Sequence, residues 1–92
     1  MKYVWDGEKN RGNVRKHGID FADVPKMFSH PMVTFLDQRM DYGEDRWIGI
    51  GLLRGIVAAI VFTEPQEGTI RIISARKATK HEENIYADEI EN

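Results

Sequence analysis

The sequence predicts an α+β domain in which two N-terminal helices pack on a four- to five-stranded, mostly antiparallel sheet and a further helix closes the chain. Three observations lead there. Between Pro31 and Ser74 the chain alternates β-branched and aromatic runs with turn signals, the pattern of a meander. Ahead of it, Asp6 and Gly18 bracket a segment of helical length. After it, Thr79 stands three residues before Glu82, the spacing of a capping box, so a helix should begin at about Lys80.

In chain order, "KYVWD" reads as a short opening strand. Asp6 then caps a helix running from Gly7 to about His17, with Gly18 as its stop. Helical spacing puts Lys9, Asn13, Lys16 and His17 on one side, and Val14 is almost the only apolar residue this helix has to bury. "DFADVPKMFSHP" is a second short helix, with Phe21, Val24 and Phe28 repeating at three and four; Pro25 kinks or delays it and Pro31 ends it. The strands are "MVTFLD", "RWIGIGLL", "IVAAIVFTE" and "TIRIIS", joined by "QRMDYGED", Arg54-Gly55 and "PQEG". The run Ile56 to Phe62 is expected at the centre because both its faces are apolar. In "RWIGIGLL", Ile48, Ile50 and Leu52 are expected to face the core. That leaves Trp47 over Gly49 and Gly51, either as packing or as a platform on which a base stacks. The terminal "EIEN" is expected to fray.

Ninety-two residues fit one domain, 1–92. With 41% hydrophobic and 30% charged residues and no cysteine, the composition is that of a soluble globule without disulfides or thiolate metal sites. The charge-free stretch from Gly55 to Thr63 is about half of a membrane span, and the N-terminus lacks the apolar core of a signal peptide, so a cytoplasmic location is expected. The net charge of -2 conceals a segregation. Residues 68–81 carry four Lys or Arg (Arg71, Arg76, Lys77, Lys80) and no acid, and residues 82–92 carry five acids and no Lys or Arg. The first thirty residues hold six bases against four acids, so two basic regions meeting in the fold would form an anion site on an acidic protein.

Arg71 interrupts a run of isoleucines and should lie partly buried on a sheet face, where a guanidinium needs an anion. A carboxylate from Glu44, Asp45 or Glu64 would serve, and so would a phosphate. His17 either complements the dipole of its helix or moves a proton, histidine being the side chain that ordinarily titrates near neutrality. His30 and His81 are weaker candidates. No histidine spacing suggests zinc, and no Ser/His/Asp order, P-loop or catalytic carboxylate pair is present.

The pattern W-D-x-x-K-x-x-x-N-x-x-K-H-G-I-x-F from Trp5 to Phe21, then "GEDR" at 43–46, "RIISARKA" and Glu82-x-x-x-Tyr86, resembles the BrnT family of bacterial type II toxins over residues 4–86. Pro25 departs from it, standing where that family has a helix former. The resemblance implies a RelE-like fold and a ribonuclease that arrests translation by cutting RNA. It also implies a cognate BrnA-type antitoxin whose ribbon-helix-helix part binds operator DNA, with two toxins on an antitoxin dimer. The motif residues suited to a site are Lys9, Lys16, His17, Arg71, Arg76 and Glu82. The expected reaction uses neither metal nor cofactor: a ribose 2′-hydroxyl attacks the adjacent phosphate. His17 is the base or acid, with Lys16 and Lys9 as alternates; Arg71 and Arg76 clamp the phosphate; Glu82 orients an arginine or acts as the base. The alternative is a non-catalytic module whose basic corner docks an acidic partner segment.

Overall fold

Two-residue hairpins hold strands in tight antiparallel register when both turn residues take positive φ. Arg54 (φ 51°) and Gly55 (φ 81°) do so between the two most apolar strands. In the computed structural model, which describes residues 1–91, five strands are present: β1 (Lys2–Trp5), β2 (Val33–Leu36), β3 (Trp47–Leu53), β4 (Ile56–Gln66) and β5 (Thr69–Lys77). They lie in the order β1-β5-β4-β3-β2, with β4 central as its two apolar faces require. β1 runs parallel to β5, and all other pairs are antiparallel.

One face of this sheet carries the main core. Phe21, Val24 and Met27 come from a 3₁₀ helix (Phe21–Ser29) that contains Pro25, and they pack on Leu53, Ala58, Ile60, Phe62, Ile70 and Ile72. Proline has no N–H to donate, which suits a short, tight segment better than a regular α-helix. Trp47, Gly49, Gly51 and Leu53 face this core, while Ile48 and Ile50 are buried as expected, in a second cluster on the opposite face. The glycines make room for methionines and an aromatic ring, not for a base: a Cβ at Gly49 would lie 3.0 Å from Met32 Sδ and 3.2 Å from Phe62, and one at Gly51 would lie 3.2 Å from Met32 Cγ. Leu52, expected in the core, is 42% exposed.

On the opposite face Ile48 and Ile50 meet Tyr86 of α2 (Lys80–Tyr86), with Val33, Val57, Val61, Ile85 and Ile90 around them. Both halves of the Thr79–Glu82 capping box form. Residues 87–91 continue as one π-helical turn whose Ile90 packs on this cluster, so the segment expected to fray is ordered through Glu91; Asn92 lies outside the described residues.

α1 (Gly7–His17) occupies neither face in the expected manner. Asp6 accepts from the N–H groups of Glu8 and Lys9, and Gly18 (φ 71°) ends the helix. Its one apolar residue, Val14, is 41% exposed. The buried residue is Asn13, which donates to the Ala75 carbonyl (2.8 Å) and the Ile19 carbonyl (2.9 Å) and accepts from the Ala75 N–H (3.1 Å). β1 pairs with β5 only as far as Ile72, so the carboxamide supplies the backbone pairing that a longer β1 would have made at Ala75. Asn10 adds a second tie, accepting from the Phe21 N–H (2.8 Å) and donating to Asp20 (2.9 Å).

Replacing Asn13 with Ala leaves three buried backbone groups without partners and should lower stability by about 1–3 kcal/mol, whereas Val14→Ala should stay within about 0.5 kcal/mol. Urea unfolding of the two variants checks this. A larger loss from Val14→Ala would show that α1 is held by its apolar contact instead.

Candidate active site

Strict alternation along β5 would put Arg71 and Arg76 on opposite faces, since one position is odd and the other even. The register of β5 on β4 does otherwise. Thr63 pairs with Arg71, Val61 with Ser74 and Ala59 with Arg76, so Ile73 is an extra residue opposite the Val61–Phe62 step. Such a bulge restores Arg71, Ser74 and Arg76 to a single face. It is the face on which Val61 and Ile48 are paired.

Two other segments reach this face. The last turn of α1 delivers Lys16 and His17 just before the Gly18 stop. The exit of β2 delivers Arg39, where the chain turns back after Asp37. Lys16, His17, Arg39, Ser74 and Arg76 line a cavity of about 270 Å³ over a floor of Ile48, Ala59 and Val61. No carboxylate lines it. Its polar groups are all cations or hydroxyl and imidazole groups, an arrangement that attracts an anion and repels a divalent metal. Among the described residues no cluster of three or more metal-ligating side chains occurs.

Both arginines are held from behind by acids. Arg76 forks onto Glu82, Nη1 to Oε1 at 2.7 Å and Nη2 to Oε2 at 2.9 Å, and Thr79 N–H donates to Oε1 at 2.8 Å. The Arg76 fork holds the Glu82 carboxyl down at about 2 against the opposing effect of burial, which makes it a poor base and a good anchor. Arg39 forks onto Asp37 through Nε and Nη2, both at 2.8 Å, and Tyr42 donates to the same carboxylate at 3.1 Å. The Asp37 side chain is fully buried, and the Arg39 fork holds its carboxyl down at about 2. Arg39 itself stays 63% exposed, and its charge opposes that of Arg76 across the cavity. Two guanidinium groups pinned near one another against their mutual repulsion form a preset site for a multiply charged oxyanion.

Of the six residues singled out in the sequence, Lys16, His17 and Arg76 line the cavity, and Glu82 supports it through Arg76. Lys9, exposed in the first turn of α1, does not line it, nor does Arg71. Arg71 Nη2 binds both oxygens of Glu44 at 2.7 and 2.9 Å, the carboxylate partnership that was one of its two expected roles. Arg39 was missed. Its signal is Asp37-Gln38-Arg39 directly after a strand, an acid and a base two apart where a turn folds one back on the other. A larger opening of about 430 Å³ at the β3–β4 hairpin is more apolar, and the Arg54 that lines it is already paired with Asp23 at 3.0 Å.

Residues 5–82 match the family model described as "Ribonuclease toxin, BrnT, of type II toxin-antitoxin system". That span includes every residue of the cavity and Glu82. Among solved structures, the 1.1 Å crystal structure of the Brucella abortus ribonuclease toxin, BrnT, is similar at 32% sequence identity with a TM-score of 0.70, over 87% of this chain and 99% of that one. No curated protein matches the chain.

The depressed Glu82 carboxyl fixes a pH signature. Its contribution to stability is fully present above its ordinary value of 4.5 and is lost as pH falls through about 2. The stability gap between the wild-type protein and Glu82→Gln should therefore be constant at neutral pH and close in acid across that window. Thermal melts at stepped pH measure it, and a gap that does not change down to the lower limit would remove the Arg76–Glu82 fork from the account.

Proposed function

The chain belongs to the BrnT family of ribonuclease toxins of type II toxin-antitoxin systems, and we propose that it cleaves RNA at the Lys16–His17–Arg39–Arg76 cavity and thereby inhibits translation. The observation carrying this is the convergence of those four side chains from three separate elements on one anion-sized hollow.

In this reaction the ribose 2′-oxygen attacks the adjacent phosphorus and the bond to the 5′-oxygen breaks, leaving a 2′,3′-cyclic phosphate and a 5′-hydroxyl. Charge grows on the non-bridging oxygens, where Arg39 and Arg76 donate. Their own carboxylates hold the two forks in place beforehand, so little reorganisation is needed as the charge develops. One proton must leave the 2′-hydroxyl and another must reach the 5′-oxygen. His17 takes one of these roles, and Lys16, its neighbour at the end of α1, is placed to assist the other. Glu82 and Asp37 are positioning residues. The cationic lining supports a mechanism that needs no metal, since the positive charge that a metal would bring is already supplied by side chains.

The family reading extends to a RelE-like fold and a cytoplasmic place of action on cellular RNA. It also extends to a BrnA-type antitoxin whose ribbon-helix-helix dimer carries two toxins and contacts operator DNA. Among the described residues no helix is long and apolar enough to cross a membrane.

With chelator present, the wild-type protein should cut a single-stranded RNA to cyclic-phosphate ends. Arg76→Ala and His17→Ala should each lower the rate on the order of 10²-fold while remaining folded. Stable variants that cut at the wild-type rate would overturn the assignment of the cavity. A wild-type protein that arrests growth without cutting RNA would favour docking of an acidic partner segment at the same basic hollow. Light scattering on the co-expressed toxin–antitoxin pair should give the mass of two toxins and two antitoxins, and a one-to-one mass at all concentrations would overturn that stoichiometry.

A further inference from the structure

We propose that Arg71, which does not reach the cavity, is a positioning residue for Arg39, acting through a relay of Glu44, Arg46, Tyr42 and Asp37. This rests on the reading that Arg39 holds the scissile phosphate.

Each link is short. Arg71 Nη2 donates to both oxygens of Glu44 at 2.7 and 2.9 Å. Arg46 Nε donates to Glu44 Oε2 at 3.2 Å. The Arg46 guanidinium lies over the Tyr42 ring, 4.1 Å from its centroid. The Tyr42 hydroxyl donates to Asp37 Oδ2 at 3.1 Å, and Arg39 Nε and Nη2 donate to Asp37 Oδ1 and Oδ2, both at 2.8 Å. Every carboxylate in the series is shared by two donors, so each donor limits where the next may sit.

The need for a relay follows from the loop. Residues 37–46 join β2 to β3 with little apolar burial to hold them; Met40 is 68% exposed. Two hydrogen bonds to backbone carbonyls fix the stem, Asp37 N–H to the Arg46 carbonyl at 2.7 Å and the Thr63 hydroxyl to the Asp45 carbonyl at 2.8 Å. Between them the tip turns on two local contacts, Arg39 N–H to Asp37 Oδ1 at 3.2 Å and Gly43 N–H to Asp41 Oδ1 at 3.0 Å, and the remaining ties are the side-chain pairs above; Arg71 is the member that stands in the sheet, on β5 between Val4 of β1 and Thr63 of β4. The Arg71 and Glu44 side chains are 40% and 29% exposed. Ion pairs of that exposure contribute little to stability, whereas displacing a catalytic group by about 1 Å can cost about 10²-fold in rate. Loss of Arg71 should therefore be felt in cleavage before it is felt in the melt.

The test is a double-mutant cycle on RNA cleavage in single turnover, with melting temperatures for every variant. Arg71→Ala should cut about 10-fold more slowly with its melting temperature little changed, and Arg71→Lys should recover part of the loss. Tyr42→Phe, which removes only the hydroxyl, should show the same defect. In an Arg39→Ala background, Arg71→Ala should cause no further loss. Full additivity in that background, or a wild-type rate for Arg71→Ala beside a slow Arg39→Ala, would overturn the relay and leave the cleavage site standing. An Arg39→Ala variant as fast as wild type while Arg76→Ala is slow would also overturn it. Wild-type rates for both Arg39→Ala and Arg76→Ala would instead overturn the cleavage reading itself.

Discussion

The carboxamide of Asn13 on the open edge of β5 is the contact from which the rest of the site follows. A helix as polar as α1 has no apolar stripe to hold it to a sheet, and its hold comes from saturating the donor and acceptor of Ala75 where β1 has stopped. Both bonds are buried, and breaking them would strand backbone groups away from water. The helix is thereby set beside the edge of the sheet, one turn short of its own end, and that last turn delivers Lys16 and His17 to the cavity. A helix packed flat on the main-core face by apolar side chains would have left these residues on the side of the sheet opposite Arg76.

The second constraint is the bulge at Ile73. It exchanges one residue of regular pairing for a change of parity, so that Ile70, Ile72 and Ala75 all serve the main core while Arg71, Ser74 and Arg76 share the other face. The core gains an alanine just where Asn13 needs close access to the strand, and the opposite face gains the second arginine of the basic corner.

Much of this was legible from residue pattern. The meander, the central place of the Ile56–Phe62 run, the caps of α1 and the Thr79–Glu82 box follow from local rules that tertiary structure did not override. β3 was legible at Ile48 and Ile50, which are buried, but not at Leu52 or on the side of Trp47. Its two faces are both apolar once the glycines are recognised as space for Met32, Met27 and Phe62, so alternation alone had no power to choose between them. Bulges are also silent in a pattern of successive isoleucines, so the common face of Arg71 and Arg76 does not follow from alternation. Within the site, Lys16, His17 and Arg76 stood out because cations collect at element ends, and Glu82 through its spacing from Thr79. Arg39 did not, because its importance comes from a turn that folds it onto Asp37 and from a loop whose path depends on distant residues.

A basic hollow on an acidic chain raises the question of why its arginines do not collapse onto the nearest acids and vanish as a site. The geometry answers it. Glu82 and Asp37 each meet their arginine with two parallel bonds and also accept from a third group, Thr79 or Tyr42, and neither carboxylate lines the cavity. Each guanidinium carries five N–H donors and spends two on this fork, so others remain for a second anion. The carboxylates therefore lower the cost of crowding the cations without filling the hollow between them. They also remove much of the side-chain freedom that arginine would otherwise lose on binding, since a fork already held in one orientation has less left to order. The acids in this arrangement act as supports, and the positive face they support is the one turned toward the cavity.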